Sequence, residues 1–321
     1  MRRRPPVTAA AALAAVYLIW GSTYLAIAVA VRDLPPLLML SFRFLIAGGA
    51  LYAWSIRRGD REGDRPRLRH WRSALVVGGL LLFVDSGAVA WAEQRIDTGL
   101  AALLTATIPL WLVGMDGIVT GKRLGAGAVA GMAVGLLGVA LLVGPSASGL
   151  DLPGVAAVLG GTVAWAGGSL YARSAPLPRR RNVAAGMEML AASVLLGITG
   201  VATGELGRVH PTHVSIAALA AIGYLVVFGS LVAYRAYGWL LLNVPTKVAS
   251  THAYVNPVIA VLLGSVFLGE PITAVTVLAG ALVVLSVVLL IGLPKRERPP
   301  AIPSSIRLTT PALADFSRLA A

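Results

Sequence analysis

The chain has 321 residues, of which 57% are hydrophobic and only 13% charged, and its mean hydropathy is +0.80. These values lie far from the averages of soluble proteins and predict a chain that resides in a lipid bilayer. The absence of cysteine excludes disulfide bonds, a thiolate nucleophile and a cysteine metal site. A net charge of +13 would also suit a nucleic-acid-binding protein, so the positions of the basic residues have to decide between the two classes.

Ten stretches are apolar enough and long enough to span a bilayer, which takes about 20 residues. In chain order they cover 9–31, 36–54, 73–92, 99–119, 125–144, 152–172, 183–203, 214–240, 248–268 and 272–292. The basic N-terminus followed by an apolar run resembles a secretory signal, but the run continues to Val31, which is too long for one. We therefore predict an uncleaved first span, and a disordered, Pro-rich tail at 293–321.

The basic residues are distributed unevenly between the two sides of the predicted membrane. Of the 27 lysines and arginines, 22 fall at the two termini and in the loops on the same side as the termini. The loops of the other side hold Arg32, Arg95 and Arg208. Because basic loops stay in the cytoplasm, both termini are predicted to be cytoplasmic, in the inner (plasma) membrane of the cell. This distribution favours a lipid bilayer, and not nucleic acid, as the partner.

The second half of the chain repeats the first. Trp20 stands 23 residues before Arg43, and Trp165 stands 23 residues before Glu188. Three further residues recur 148 positions later in the same order, as Trp91, Thr98 and Pro109 followed by Trp239, Thr246 and Pro257. Two copies of five helices each must lie in opposite orientations, and such inverted repeats place a transport pathway at their interface.

These observations predict an all-α integral membrane protein with ten transmembrane helices in two inverted five-helix repeats. The first repeat is predicted at 9–144 and the second at 152–292, joined by an outer linker at 145–151 and preceded by a short cytoplasmic segment at 1–8.

Several short motifs occur in a fixed order along the chain. They are Trp20-Gly21-Ser22-Thr23-Tyr24, Arg43-Phe44, Ala92-Glu93-Gln94, Tyr254-Val255-Asn256-Pro257 and Gly269-Glu270. In this order and spacing they resemble the EamA family of the drug/metabolite transporter superfamily. The resemblance covers about residues 9–292 and is strongest to bacterial exporters of amino acids, metabolites or drugs. It implies ten helices and a central substrate cavity lined mainly by helices 1, 3, 4, 6, 8 and 9.

One position departs from the pattern of this family. Relatives often carry Gly-Glu at the end of helix 4 as well as helix 9, whereas this chain has Gly121-Lys122 in the first copy. That difference puts a shared gating role of the glutamate in doubt. For Glu270 we expect a cap on the start of helix 10, in preference to substrate contact, because a helix N-terminus favours negative charge.

Four ionisable residues inside the spans are functional candidates, because charge is costly in a bilayer. Arg43 and Asp85 share a depth in helices 2 and 3, and Glu188 and Arg235 share a depth in helices 7 and 8. We predict one buried ion pair in each repeat, formed in at least one state. A purely structural role is the alternative. Asp85 and Glu188 are the candidates for proton coupling, because desolvation favours the neutral carboxyl group.

Aromatic and polar side chains are the candidates for substrate binding, because ring faces attract cations and other rings. Trp20 and Trp165 hold equivalent mid-span places, and we predict that substrate binds between them. Further candidates are Tyr24, Tyr171, His252, Tyr254 and Asn256. Trp91 and Glu93 lie near the outer mouth, where Glu93 is either a contact of the pathway or a solvated surface residue.

Two prolines and three glycines indicate how the helices move and pack. Pro109 and Pro257 occupy matching positions in helices 4 and 9, where loss of a backbone hydrogen bond predicts a kink and a hinge. Gly127, Gly131 and Gly135 form a small-residue stripe on helix 5. Helix 10 is the expected partner of this stripe, and a homodimer contact is the alternative.

The predicted function is secondary active export of a small metabolite, amino acid or drug-like molecule by alternating access, without a cofactor or a metal. Gly121-Lys122-Arg123 lacks the spacing of a phosphate-binding loop, and no metalloprotease or serine-hydrolase motif occurs. A membrane enzyme acting on lipid would need a cluster of titratable groups, for which the spans hold too few. A non-transporting membrane scaffold is the remaining alternative, and the costly charges inside the spans argue against it.

Overall fold

Helices account for almost all of the described chain. The computed structural model describes residues 6–59, 65–121, 123–143, 150–244, 248 and 251–291. The first five helices are α1 (Pro6–Ala30), α2 (Pro36–Arg57), α3 (Leu68–Ala92), α4 (Thr98–Thr120) and α5 (Ala126–Val143). They are followed by α6 (Leu152–Ala172), α7 (Arg181–Ala202), α8 (Ile216–Tyr224, Leu225–Val232 and Ala233–Asn243), α9 (His252–Leu263 and Gly264–Leu268) and α10 (Ala274–Ile291).

Seven of these helices, α1 to α4 and α6 to α8, are long and apolar enough to cross a membrane. The apolar helices Ala126–Leu142, Val255–Leu268 and Ala274–Leu289 are shorter. No strand occurs among the described residues, and the prediction of an all-helical membrane protein is confirmed. The predicted tail at 293–321, most of the outer linker and the first five residues lie outside the described part.

Two equivalent helices, α3 and α8, contain a π-helical stretch near their middle. In α3 this stretch is Gly79–Asp85, and in α8 it is Leu225–Val232. A third stretch, Gly264–Leu268, ends α9. Such stretches are rare and are frequently found at functional sites. Their presence directs attention to Asp85 and to the segment of α8 around Gly229.

The two repeats meet closely along α2 and α7. Ser41 Oγ donates to the carbonyl oxygen of Ser193 at 2.8 Å, and Ser193 Oγ donates to that of Ser41 at 2.8 Å. Further along, a Cβ at Gly48 would lie 3.1 Å from the carbonyl oxygen of Gly186. The displacement that relates Trp20 to Trp165 also relates Ser41 to Gly186 and Gly48 to Ser193. The two contacts are therefore equivalent, as expected for a pair of related repeats.

The glycine stripe of α5 packs against α10. A Cβ at Gly135 of this stripe would lie 2.6 Å from Ser286 Oγ, and one at Gly127 would lie 3.9 Å from the carbonyl oxygen of Leu289. A further glycine of α5, Gly138, is also close to α10, since a Cβ there would lie 3.1 Å from the carbonyl oxygen of Ala279. Small residues allow this close approach of two helix backbones. The prediction that the stripe packs within the chain is confirmed.

Neighbouring glycines in α2 provide a direct test of the α2–α7 contact. A Cβ at Gly48 would lie 2.7 Å from Met189 Cβ, whereas one at Gly49 would meet nothing within 4 Å. Overpacking costs about 1–3 kcal/mol, while alanine is a better helix former than glycine by about 1 kcal/mol. We expect Gly48→Ala to lower the melting temperature of the purified protein and Gly49→Ala to leave it unchanged or raise it. Equal melting temperatures for the two variants would contradict this packing.

Candidate functional site

An aromatic cluster surrounds Trp20 where the two repeats meet. The Trp20 ring lies 5.9 Å from that of Tyr234, 5.1 Å from that of Tyr237 and 5.3 Å from that of His252, measured between centroids. The rings of Tyr237 and His252 are 5.3 Å apart. Trp20 belongs to α1, whereas the other three belong to α8 and α9. We call these four residues the aromatic cluster.

Local sequence explains why these rings converge. Tyr234 and Tyr237 are three residues apart, so they share one face of α8. Gly21, next to Trp20, lets α9 approach α1, because a Cβ there would lie 2.8 Å from Ile259 Cβ. Trp20 Nε1 also donates to the carbonyl oxygen of Gly229 at 3.4 Å, which orients its ring.

Polar contacts hold α1 on both sides of the aromatic cluster. The hydroxyls of Ser22 and Tyr224 are hydrogen-bonded at 2.6 Å, joining α1 to α8. The hydroxyls of Tyr17 and Thr251 are also hydrogen-bonded, next to the start of α9. These contacts fix α1 against the second repeat on both sides of the aromatic cluster.

Arg43 and Asp85 are both buried, and both face the other repeat. Arg43 Nε donates to Ser230 Oγ of α8 at 3.0 Å. Asp85 faces α6, since a Cβ at Gly161 would lie 3.2 Å from Asp85 Oδ1, and that oxygen accepts no hydrogen bond from the described residues. The predicted pair between Arg43 and Asp85 is not formed within 4 Å in this conformation. Equal depth did not bring them together because α2 and α3 direct them to different helices.

The second predicted ion pair, between Glu188 and Arg235, is also not formed here. Arg235 is exposed, and its guanidinium carbon lies 4.9 Å from the ring centroid of Trp54. Arg58 covers the same ring at 3.9 Å. Within the described residues, the one ion pair closer than 4 Å joins Arg173 and Asp116 at 2.7 Å, and both residues are exposed. Pairing of Glu188 with Arg235 in another state stays a prediction.

Tyr234 connects the aromatic cluster to the charged residues. Its ring contacts Trp20, and its hydroxyl group lies within electrostatic range of Glu188, Arg43 and Asp85. Three of the four predicted charges therefore influence one tyrosine that contacts Trp20, although they form no ion pair there.

The remaining substrate candidates are spread over the molecule. Trp165 is half-buried, and no ring contact joins it to the aromatic cluster within the described part of the chain. Tyr171 is 39% exposed in the last turn of α6. Asn256 lies beside Gly21, with its Oδ1 buried and not hydrogen-bonded to any described residue. The side chain of Tyr254 lies outside the described residues.

Glu93 and Trp91 lie at the end of α3 that the sequence predicts to face outward, which we call the outer end. Glu93 is buried, so the alternative of a solvated surface residue is wrong. Burial raises the pKa of Glu93 well above its usual value, and the charge of Glu270 raises it further. The Trp91 ring is half-buried, with the guanidinium carbon of Arg95 at 4.1 Å from its centroid. Trp91 also lines a cavity of about 510 Å³ between α2, α3, α6 and α7, together with Arg208.

Carboxylates bind the first turns of helices at this outer end. Glu205 accepts hydrogen bonds from the backbone N–H groups of Leu37 and Leu38 of α2, both at 3.0 Å. Glu270 accepts from Thr98 N at 2.7 Å and from Gly99 N at 3.1 Å, at the start of α4. The expectation that Glu270 caps helix 10 is therefore wrong.

The start of α10 has its own cap, in which Thr273 Oγ1 accepts from Thr276 N at 3.1 Å. Glu270 is thus available to α4, which lies across the contact between the repeats. Negative charge at a helix N-terminus is favourable in both arrangements, so only the packing of α9 against α4 decides between them.

Comparison with known proteins identifies the family. The chain matches the EamA-like transporter family twice, over residues 7–144 and 152–292. The chain belongs to the EamA-like transporter family. The predicted family is confirmed, and its name is that of a transporter family.

Relatives of this EamA protein are also described as transporters. It is 40% identical over 294 residues to the inner membrane transporter YedA of Escherichia coli (strain K12), covering 90% of this chain and 92% of YedA. It is 24% identical over 284 residues to the "Probable amino-acid metabolite efflux pump" of Salmonella typhimurium (strain LT2), covering 84% and 90% of the two chains. A crystal structure with 22% identity shares the fold at a TM-score of 0.61, covering 89% of this chain and 96% of that one.

The two predicted hinge prolines of this EamA protein differ in their surroundings. Helix α4 is interrupted at Ala106 and Thr107, and Pro109 lies in the first turn of the segment that follows, Ile108–Thr120. Pro257 lies inside the helical segment His252–Leu263 of α9. Pro257 removes a backbone hydrogen bond inside its helix, whereas Pro109 stands in a first turn, where the backbone N–H has no partner within the helix. A hinge at each position stays a prediction.

Sequence reasoning missed Tyr234 and Tyr237 in this EamA site. Both flank Arg235, which attracted attention as the charged residue of the span. A usable signal was present, because two tyrosines three residues apart share one face of a helix and can contact the same neighbouring helix. The π-helical stretch before them carries no comparable signal in the sequence.

Proposed function

We propose that this EamA protein is a secondary active exporter of small amphipathic molecules, most of all amino acids and related cationic or aromatic compounds. The observation that carries this proposal is the aromatic cluster, in which rings from both repeats meet beside buried ionisable residues. A site shared by two inverted repeats can open to either side as the repeats rock against each other. No cofactor is needed for this cycle.

The side chains of the aromatic cluster are suited to bind a substrate that carries an amino group or an aromatic ring. Ring faces attract ammonium groups and stack on other rings, and Tyr234, Tyr237 and His252 add polar atoms that orient a substrate. Two relatives support amino acids as the class, since their names are "Probable amino-acid metabolite efflux pump" and "Probable terminal-alkyne amino-acid exporter". Trp165 is proposed as a second wall of the site in other states of the cycle.

Proton coupling is proposed at Asp85. This carboxyl group is buried, has no hydrogen bond from the described residues at Oδ1, and lies in electrostatic range of Tyr234. A buried carboxyl group without a partner is costly to ionise, so it can take up and release a proton as its surroundings open. Pro109 and Pro257 are the proposed hinges of α4 and α9.

The direct test is a transport assay with purified protein in liposomes. Uptake of amino acids and of cationic aromatic compounds would be measured with and without an imposed pH gradient. We expect protein-dependent accumulation of at least one amine or aromatic compound, driven by the gradient. If no compound of either class shows protein-dependent flux, the proposed substrate class is wrong. If the flux does not depend on the pH gradient, the proposed proton coupling is wrong.

The proposed arrangement has ten spans, with both termini in the cytoplasm of the cell. The uneven distribution of the basic residues supports it. Because the chain has no cysteine, single cysteines report sidedness directly. In intact cells, a membrane-impermeant maleimide is expected to label Leu206→Cys, which is 61% exposed in the wild type, and to spare Arg69→Cys until the cells are permeabilised. Labelling of Arg69→Cys but not of Leu206→Cys in intact cells would show that the topology is the opposite of the proposed one.

A further inference from the structure

The carboxylate of Glu270 ties the second repeat to the first at the outer end. Its two hydrogen bonds to Thr98 N and Gly99 N, at 2.7 and 3.1 Å, close the first turn of α4. The backbones are close at the same place, because a Cβ at Gly99 would lie 2.9 Å from Val261 Cγ2 of α9. Separation of α4 from α9 therefore requires that these two hydrogen bonds break. We call this contact the outer clasp.

The backbone around Glu270 is built to hold its side chain. Gly269 has a φ of 72°, a left-handed conformation that favours glycine, and Glu270 N donates to the carbonyl oxygen of Gly264 at 3.2 Å. A Cβ at Gly264 would lie 2.2 Å from Glu270 Oε2, so a larger residue would displace the carboxylate. The equivalent position of the first repeat, 148 residues earlier, is Lys122, whose ammonium group accepts no hydrogen bond.

Glu93 is the second carboxyl group of this region, and its carboxyl oxygens hold no other part of the described structure in place. Its side chain is only 9% exposed, and neither of its carboxyl oxygens accepts a hydrogen bond from the described residues. Its electrostatic partner is Glu270, a like charge. An ionised carboxylate in this place would be buried without compensation, so the closed clasp favours a neutral Glu93.

The other ionisable groups near the outer clasp do not neutralise a negative charge on Glu93. Asp97 is also acidic and is affected by the charge of Glu270. Asp151 accepts a hydrogen bond from Gly154 N at 2.6 Å at the start of α6. Arg95 is turned onto the Trp91 ring. Tyr24 of α1 lies in electrostatic range of both Glu93 and Asp85.

We propose that Glu93 and Glu270 form a proton-binding site at the outer end of the transporter, and that a proton on Glu93 keeps the outer clasp closed. Loss of this proton leaves a buried negative charge on Glu93 without a hydrogen bond from the described residues, in electrostatic range of Glu270. Repulsion between the two charges weakens the hold of Glu270 on Thr98 and Gly99. The outer ends of α4 and α9 then separate. This site deepens the proposed transport function and rests on it, since the clasp controls one side of an alternating-access cycle.

A proton is the ligand that fits these residues. Among the described residues, no three His, Cys, Asp or Glu side chains come together in a group that could hold a metal ion. Neutralising Glu93 needs only one proton and no further ligand atoms.

The pH dependence follows from the raised pKa of Glu93. Glu93 is neutral in the closed clasp at pH values below this pKa, so closure is favoured there. As the pH rises through the raised pKa, ionisation of Glu93 is more favourable in an open, hydrated state than in the closed one. The clasp therefore loses stability with increasing pH.

A cysteine at position 261 can report opening of the clasp, because Val261 packs over Gly99. The purified Val261→Cys protein would be labelled with a maleimide in detergent between about pH 5 and pH 9. Each rate would be divided by that of Gly207→Cys, an exposed position, which corrects for thiol ionisation. We expect the ratio to rise at least about tenfold, since one unit of pKa difference between two states changes their ratio tenfold.

Three substitutions in the Val261→Cys background decide the mechanism. Glu93→Gln mimics the protonated residue and is expected to give slow labelling at all pH values. Glu270→Gln weakens the clasp itself and is expected to give fast labelling throughout. Glu205→Gln changes another carboxylate that accepts hydrogen bonds from the first turn of a helix, that of α2. It is the matched control and should keep the pH-dependent rise.

A ratio that does not change with pH in the parent protein, or a rise that persists in Glu93→Gln, would overturn the proposal. Each variant would first be shown to melt and elute as the parent does, so that misfolding is not counted as opening. The assay contains no substrate. A negative labelling result would therefore not contradict the proposed transport function. A negative result in the transport assay would likewise not change the labelling result.

Discussion

Replacing Trp20 with alanine is expected to weaken substrate binding by at least about tenfold, equivalent to about 1.4 kcal/mol. Trp20 contacts all three other rings of the aromatic cluster. Its removal takes away the central ring face that an ammonium or aromatic substrate would contact, and stacking or cation–π contacts are worth about 0.5–2 kcal/mol each. The measurement is equilibrium binding of a transported compound to the purified variant.

Trp165→Ala is the matched comparison for this prediction. Trp165 holds the equivalent position in the second repeat and is half-buried, but it makes no ring contact with the aromatic cluster within the described residues. We expect a smaller loss of affinity than for Trp20→Ala. Melting temperature and elution volume of both variants would show that they remain folded. If Trp20→Ala binds substrate with wild-type affinity, the proposed site is wrong. An equal loss of affinity in both variants would support a site between the two tryptophans.

Replacing Asp85 with asparagine is expected to abolish substrate accumulation driven by a pH gradient while exchange of substrate across the membrane continues. Asparagine has nearly the same shape as a protonated aspartic acid, so the tight contact with Gly161 is retained. It cannot release a proton, so the coupling step is lost. Gradient-driven uptake and counterflow exchange would be measured with the same liposomes.

Asp33→Asn is the control for this second prediction. The carboxylate of Asp33 follows α1 and accepts a hydrogen bond from Ser215 N at 2.9 Å. Hydrogen bonding from the side chain of Ser215 and from its backbone N–H lowers the pKa of Asp33. Asp33 therefore stays ionised through the working range of pH and should not carry the coupling proton. Asp33→Asn is expected to keep gradient-driven uptake. Continued accumulation by Asp85→Asn would show that the coupling proton binds elsewhere.

The sequence alone determined the features that depend on composition and on spacing along the chain. Long apolar stretches predicted the membrane helices, and short motifs such as Trp20-Gly21-Ser22-Thr23-Tyr24 predicted the family. The glycine stripe of α5 predicted its contact with α10. These features were predictable because hydrophobicity and small residues at regular spacing act locally, within one helix or along one helix face.

Tertiary structure decided which helices the polar groups face. Depth in the membrane can be read from position along a span, and by that measure Arg43 and Asp85 appeared matched. The rotation of each helix about its axis is set by packing against neighbours, and it turned Arg43 to Ser230 of α8 and Asp85 to α6.

The same reason explains Glu270 and the aromatic cluster. Local sequence placed Glu270 next to the start of α10, but the contact of α9 with α4 brought it to Thr98 and Gly99 instead. Tyr234 and Tyr237 meet Trp20 only because α1 and α8 pack together from opposite halves of the chain. Contacts between distant segments depend on the packed arrangement of all the helices, which no single stretch of sequence encodes.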